Sequence, residues 1–279
     1  MPSRRERLFA VLEKMGAEAF VASRRPNQLY LLDHPDPSTV ISRANCQAIL
    51  FSPQQTVVFP GMWISNACRD LLPSCEVVPN GPGDPPPEEQ LAERLKKEEY
   101  KRIVFDQPGD RLAGLLDKDI QVVVDDLATV LRRKKDERDL AGMKEAARLA
   151  DLGMSAAFKA VRPGITCLEA IAEGVAAMLR AGAEDADMKP AVGVGTYYLD
   201  SGEDPRRVIR EGDMIFIDLA LHAHGYLGDM TRAAIVGEGT REQRELLATV
   251  QQAYRIGAQA MAPGADGREI YRAVVEHYA

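Results

Sequence analysis

Short apolar runs broken by polar turns fill the first 126 residues, and longer stretches of helical periodicity fill most of the remaining chain. The pattern predicts an amphipathic helix over Arg4 to Lys14, a strand over Ala19 to Ser23, and a hairpin of Gln47 to Phe51 with Thr56 to Phe59 around Pro53-Gln54-Gln55. It continues with a helix over Trp63 to Leu72, a strand over Glu76 to Pro79, a Gly/Pro-rich loop over Gly81 to Pro87 and a charged helix over Glu88 to Lys97. Strands over Arg102 to Asp106 and Gln121 to Val124 complete a small α/β domain, residues 1–126. From Asp125-Asp126 to Val161 the pattern is one long helical region. Its charge run, Arg132 to Asp139, reads as a solvated helix start with Asp136 as N-cap, and it marks the boundary to a second domain, residues 127–279.

Pro163-Gly164-Ile165-Thr166-Cys167-Leu168-Glu169 recurs one hundred positions later as Pro263-Gly264-Ala265-Asp266-Gly267-Arg268-Glu269. Each copy follows one helical pattern and opens another, so the pair reads as an internal repeat. Thr166 with Glu169, and Asp266 with Glu269, have the spacing of a capping box.

Met214 to Leu221 and Tyr226 to Val236 are patterned as two strands joined at His222-Ala223-His224-Gly225. A turn centred between Ala223 and His224 sets Asp218 directly opposite Asp229, on one face, with Cβ atoms roughly 4.5–5.5 Å apart. Facing carboxylates among apolar neighbours such as Ile215, Ile217, Leu219 and Ala233 repel, which raises one pKa or calls for a cation between them. Oxygen-only ligation suits a hard or borderline divalent ion, and the expectation is a metal site. The plainer alternative is one solvated aspartate and one capping aspartate. His222 shares strand parity with Asp218; its ordinary reading, like that of His224, is a solvent-exposed turn residue, and a further metal ligand is the alternative.

Composition mainly excludes classes of function. The chain has 279 residues, 46% of them hydrophobic, a net charge of −7 and a pI near 5.3, which argues for globular domains and against nucleic acid or an anionic membrane as partner. No apolar run has the length of a signal segment or a membrane span, and a cytoplasmic location is the default expectation. Cys46, Cys68, Cys75 and Cys167 show no C-x-x-C spacing and read as free thiols. Pro85-Pro86-Pro87 reads as a stiff connector rather than a ligand for a proline-binding domain, and Trp63 as core packing rather than pocket lining. No G-x-S-x-G, Cys-His pair or phosphate-binding loop is present, and Gly193-Val194-Gly195 alone is no nucleotide fingerprint.

The residues Gly212-Asp213, Asp218, Gly225-Tyr226, Asp229 and Thr231-Arg232 resemble the metal-binding hairpin of the pita-bread metallopeptidases, the family of methionine aminopeptidase, aminopeptidase P and Xaa-Pro dipeptidase. Ala220 stands where that family usually has Gly, and Gly228 where Ser is common. Asn27-Gln28-Leu29-Tyr30-Leu31 is similar to the N-x-x-Y-L stretch of the N-terminal domain of prolidase, aminopeptidase P and creatinase, which methionine aminopeptidase lacks. The charge run resembles the R-x-x-K-x-x-x-E-I entry to the catalytic domain, with Asp139 for Glu and Leu140 for Ile.

The resemblance implies an α/β N-terminal domain followed by an α+β pita-bread catalytic domain that is only partly present. It implies two divalent ions, Mn²⁺ first with Zn²⁺ or Co²⁺ as alternatives, Asp218 on one and Asp229 bridging both, with Thr231 orienting Asp229. A histidine and two glutamates would complete the set from a part absent here, so the chain reads as a C-terminally truncated fragment or a natural half-domain with no catalytic residue of its own. Substrates implied are peptides with proline second, and the protein is expected to be a homodimer. Where the family carries a substrate-loop histidine this chain has Ser201 or Gly202, and Tyr197 and Tyr198 are the candidate substrate contacts instead. A creatinase-like C–N hydrolase and a non-catalytic binding member of the fold are the alternatives.

Overall fold

The computed structural model describes residues 2–33, 47–62, 64–107, 110–116, 118–192 and 206–278. Trp63, Cys46, Tyr197, Tyr198, Ser201 and Gly202 lie outside the described residues. The chain forms two compact units, Met1–Lys144 with Ala223–Tyr226, and Glu145–His222 with Leu227–Ala279.

In the first unit the elements run α1 (Arg4–Lys14), β1 (Ala19–Ala22), α2 (Arg25–Leu32), β2 (Ala48–Phe51), β3 (Thr56–Phe59), α3 (Ser65–Leu71) and β4 (Glu76–Val77). They continue α4 (Pro87–Lys97), β5 (Arg102–Phe105), α5 (Asp110–Leu115), β6 (Gln121–Val124) and α6 (Leu127–Arg132). The six strands form one mixed sheet in the order β4-β3-β2-β1-β5-β6. Strand alternation decides its two faces. Phe20, Ile49, Phe51, Val58 and Val104 meet Leu8, Leu12, Leu31 and Leu127, while Val21, Leu50, Phe59, Ile103 and Phe105 meet Leu91 and Leu95. Each fully buried Leu or Phe contributes about 1.5–3 kcal/mol. Ser3 caps α1 through a reciprocal box, its hydroxyl accepting from Glu6 N and its own N–H donating to Glu6 Oε2. Pro86 and Pro87 form the N-cap and first turn of α4, so the proline run is a helix start as well as a connector.

Helix α2 has no sequence prediction, because Leu29 to Leu32 are all buried and show no single apolar stripe. Polar anchoring holds it instead. Asp106, at the end of β5, accepts from Ser23 N (2.8 Å), Arg24 N (3.0 Å) and the fully buried Asn27 Nδ2 (2.9 Å). Asn27 also donates to Asp126 (2.8 Å) and accepts from Arg132 (2.8 Å). The asparagine of the N-x-x-Y-L stretch is therefore a joint between α2, β5 and α6.

The helical region expected over Asp125 to Val161 is two helices, α6 and α7 (Glu137–Ala160), interrupted at Arg133 to Asp136. The break comes from competing caps: Asp126 accepts from Thr129 N to start α6, and Asp136 with Asp139 restarts the chain as α7. Asp136 Oδ1 accepts from Asp139 N, and Asp139 Oδ2 accepts from Asp136 N, both at 2.9 Å. This confirms Asp136 as N-cap.

The second unit takes the rest of α7, then α8 (Cys167–Arg180), a three-stranded sheet β7 (Asp185–Val192), β8 (Met214–Ala223), β9 (Tyr226–Ile235), and the helices α9 (Arg241–Ala260) and α10 (Gly267–Tyr278). Strand β7 pairs antiparallel with β8 from Asp185 opposite His222 to Val192 opposite Ile215. Helices α7 and α8 cross where two glycines meet: a Cβ on Gly174 would lie 2.9 Å from the carbonyl oxygen of Gly153.

The capping box predicted at Thr166 and Glu169 is complete. At Asp266 it is not: Asp266 accepts from Arg268 N (2.9 Å), and the Glu269 carboxylate pairs with Arg272 instead of returning to the cap. Arg268 also holds the Asp266 side chain through its guanidinium, which leaves an ordinary cap without its reciprocal half.

Candidate metal centre

The site begins with the turn between β8 and β9. His224 (φ 51°) and Gly225 (φ 77°) both take left-handed backbone conformations, the signature of a two-residue type I′ turn. That turn pairs Ala223 with Tyr226. Counting back along both strands pairs Leu221 with Gly228, Ala220 with Asp229 and Asp218 with Thr231. Two contacts agree: Thr231 Oγ1 donates to Asp218 Oδ1 at 2.5 Å, and a Cβ on Gly228 would lie 3.4 Å from Leu221 Cγ.

Asp218 and Asp229 are thus diagonal neighbours, on one face as expected but not directly opposite. Diagonal positions are about 7–8 Å apart, beyond direct carboxylate contact and within the span of a bound ion or ion pair. The expected direct opposition fails because the turn centre lies one residue further on, which moves the partner by two. The threonine is also reassigned. Thr231 orients Asp218 rather than Asp229.

Burial differs from expectation as well. The apolar side chains of β8, Ile215, Ile217, Leu219 and Leu221, line the other face and are buried, while Asp218 is half-buried and Asp229 exposed. Alternation separates the aspartates from the apolar neighbours adjacent in sequence. No buried like-charge pair forces a cation into place, so the case for an ion rests on the donors: two carboxylates on one face, one of them held by a hydroxyl.

Their chemistry fits a hard divalent ion. Their number does not close a coordination shell, and among the described residues no group of three or more His, Cys, Asp or Glu side chains is placed to hold a metal. His222 lies on the same face but is already engaged. Its Nδ1 is 2.9 Å from Asp185 Oδ1, and its backbone N–H donates to the same carboxylate at 2.7 Å. His224 is exposed at the turn. Asp213, beside Gly212 in the hairpin entry, closes a local turn by accepting from Arg210 N (2.8 Å) and pairing with Arg207 (3.2 Å).

Gly228 and Tyr226 have structural roles that their local sequence does not encode. A Cβ on Gly228 would sit 2.6 Å from the Ala146 carbonyl oxygen, so the small residue lets β9 lie on the backbone of α7. The Tyr226 hydroxyl donates to Asp139 Oδ1 at 2.7 Å, and burial, followed by that bond, pushes the Tyr226 hydroxyl above its ordinary pKa. A strand glycine and a strand-leading tyrosine were the available signals.

Residues 141–279 match the sequence model of Metallopeptidase family M24. Among curated relatives, the "Xaa-Pro dipeptidase" of Pyrococcus furiosus is 28% identical over 159 residues, 56% of this chain and 46% of that protein. The "Uncharacterized peptidase YqhT" of Bacillus subtilis is 28% identical over 150 residues, 53% of this chain and 42% of that protein. The "Methionine aminopeptidase A" of a Synechocystis strain is 26% identical over 159 residues, 54% of this chain and 61% of that protein. These matches span about half of this chain and less than two thirds of each relative.

Solved structures show the fold over nearly the full length. An Xaa-Pro dipeptidase from Bacillus anthracis superposes with a TM-score of 0.75 at 20% identity, covering 98% of this chain and 76% of that one. Aminopeptidase P of Escherichia coli superposes at 0.72 and 16% identity, covering 99% and 72%. The architecture is that of the pita-bread proteins with part of the neighbours' length absent. Through residues 141–279, with the aspartate hairpin inside them, this chain belongs to metallopeptidase family M24.

Proposed function

We propose that this chain is the larger part of a metal-dependent peptidase that cleaves bonds preceding proline, of the Xaa-Pro dipeptidase or aminopeptidase P kind. The observation that carries the reading is the hairpin: Asp218 and Asp229 on one face, with Thr231 Oγ1 bonded to Asp218 at 2.5 Å. In this reading Asp218 and Asp229 hold two divalent ions, Mn²⁺ first, and further ligands come from outside these residues. Bound ions of this kind lower the pKa of a water and polarise a scissile carbonyl.

The chain's own residues position and expose. Thr231 holds Asp218 by a hydrogen bond, the buried apolar face of β8 points away from the aspartates, and alternation leaves Asp229 exposed. Support for the prolyl preference comes from the α/β unit over residues 1–126, which the superposed dipeptidase and aminopeptidase P structures cover. The same proposal takes residues 127–279 as the catalytic domain, the whole protein as a cytoplasmic homodimer, and Tyr197 and Tyr198 as substrate contacts. Methionine aminopeptidase relatives favour a second reading, removal of an N-terminal residue without a prolyl requirement.

The test is Mn²⁺ titration by electron paramagnetic resonance, followed by hydrolysis assays of Ala-Pro, Ala-Pro-Pro and Met-Ala-Ser, with the metal-loaded whole protein that carries the remaining ligands. Binding abolished by Asp229→Asn, with Ala-Pro or Ala-Pro-Pro cleaved, supports the reading. Cleavage of Met-Ala-Ser alone favours the second. Cleavage of creatine without metal sinks both.

A further inference from the structure

The start of the aspartate strand is held by a buried polar cluster that the proposed chemistry does not use. Tyr226, the first residue of β9 and three before Asp229, donates its hydroxyl to Asp139 Oδ1 at 2.7 Å. The same oxygen accepts from Arg4 Nη2 at 2.8 Å, while Asp139 Oδ2 accepts from Asp136 N at 2.9 Å. Arg4 and Asp139 are each 5% exposed. The Arg4 guanidinium also bonds Asp136 at 3.1 Å and stacks 4.6 Å from the centre of the Tyr30 ring. Burial weakens the Arg4 charge, and the Tyr226 hydrogen bond and neighbouring carboxylates more than restore it.

The ring of Tyr226 lies against α7 where Gly142 has no side chain; a methyl group there would overlap the ring. Four residues on, one helical turn, Ala146 meets Gly228 of the same strand. Two residues of a strand advance roughly 6.8 Å and four residues of a helix 6 Å, so β9 and α7 stay in step over this stretch. Asp229 comes next and faces away from the helix.

We propose that Tyr226, Asp139 and Arg4 form a clamp that fixes where the aspartate hairpin leaves its turn, with Tyr226 as the positioning residue for Asp229. A cluster of this kind acts as a unit. Removing one member leaves a buried charge short of partners, so the loss is felt at the strand rather than shared across the sheet. The N-terminal helix reaches the first residue of β9 through Arg4 and Asp139. The metal part of the inference rests on the proposed function; the clamp itself does not.

The experiment is hydrogen exchange comparing wild type with Tyr226→Phe, Asp139→Asn and Asp139→Glu, together with Mn²⁺ titration of the same variants in the whole protein that carries the remaining ligands. Tyr226→Phe removes one oxygen and is expected to speed exchange of the amides from Leu227 to Thr231 about tenfold, the loss of one charge-assisted hydrogen bond, with β1, β2 and β5 unchanged. Mn²⁺ affinity falls several-fold in Tyr226→Phe and Asp139→Asn, and Asp139→Glu restores it. Unchanged exchange in β9, or equal acceleration in the six-stranded sheet, overturns the clamp. Faster β9 exchange with unchanged Mn²⁺ affinity overturns the positioning role. A wild-type whole protein, with the remaining ligands present, that binds no Mn²⁺ removes the metal reading, and the exchange comparison still decides whether the clamp exists.

Discussion

The two Pro-Gly turns, one hundred positions apart, share a local design and differ in what surrounds them. Gly164 (φ 92°) and Gly264 (φ 85°) take the same left-handed conformation, and each turn opens a helix. The first is tied to the strand entry: Gly164 N donates to Ile209 O at 2.9 Å, and Ile209 N to Ile165 O at 2.8 Å. The second has its own bond, Ala265 N to Ala262 O, and no such tie among the described residues. Burial follows the same split. In α8, Ile171 is 8% and Met178 0% exposed; their counterparts in α10, Tyr271 and Tyr278, are 70% and 54% exposed. Local sequence is sufficient to write a turn and start a helix, whereas a buried helix face requires a partner to lie against; among the described residues α8 packs on strand β7 and α10 on helix α9.

The sharpest test of that contrast removes matched side chains. Met178→Ala should cost about 2–5 kcal/mol by opening a cavity between α7 and α8. Tyr278→Ala should stay within about 0.5 kcal/mol. Native-state hydrogen exchange of α8 and α10 amides reads both, and comparable losses would break the comparison. Next come Gly164→Ala and Gly264→Ala. Neither glycine has a heavy atom close to where a Cβ would stand, so each should cost about 1–2 kcal/mol from backbone conformation alone, and by nearly equal amounts. A much larger loss at Gly164 would show that its tie to Ile209 stores more than the turn does.

The caps give smaller effects. Thr166→Ala should destabilise α8 by about 1 kcal/mol, while Glu269→Ala should change α10 by less than about 0.5 kcal/mol, since Glu269 holds no cap. Thermal midpoints from circular dichroism measure the difference. The smallest effect is on pH. The Thr166 N–H and hydroxyl hold the Glu169 carboxyl below its ordinary pKa, and Arg268 does the same for Asp266. A carboxylate lowered on folding stabilises the folded state fully above its unfolded value, near 4 for these residues. Its contribution fades as pH falls through the lower folded value. Glu169→Gln should therefore flatten the acid limb of the midpoint curve as pH falls below the ordinary carboxyl value of about 4. An acid limb identical to wild type would refute the link.

Much of this was legible beforehand. Strands β3 and β6 and helix α1 fall at their predicted residues because alternation and amphipathic spacing agree with local propensity there. The hairpin and the shared face of its aspartates were also readable. The register was not, since a histidine in the left-handed region at the first turn position is rare, and the Gly225 that follows was the available clue. Strand β7 had no prediction: Asp185, Asp187 and Pro190 look like loop residues, and the strand forms because it is at the edge of its sheet. The Asp139–Tyr226 bond joins residues 87 positions apart, a pairing no local pattern encodes.

Pro190 has a consequence of its own. Midway along β7 it brings an imide nitrogen where every other residue would offer a donor, so this strand, at the border of its sheet among the described residues, carries a gap in its N–H groups. Proline within a border strand is one of the devices by which sheet edges resist adventitious growth into aggregates.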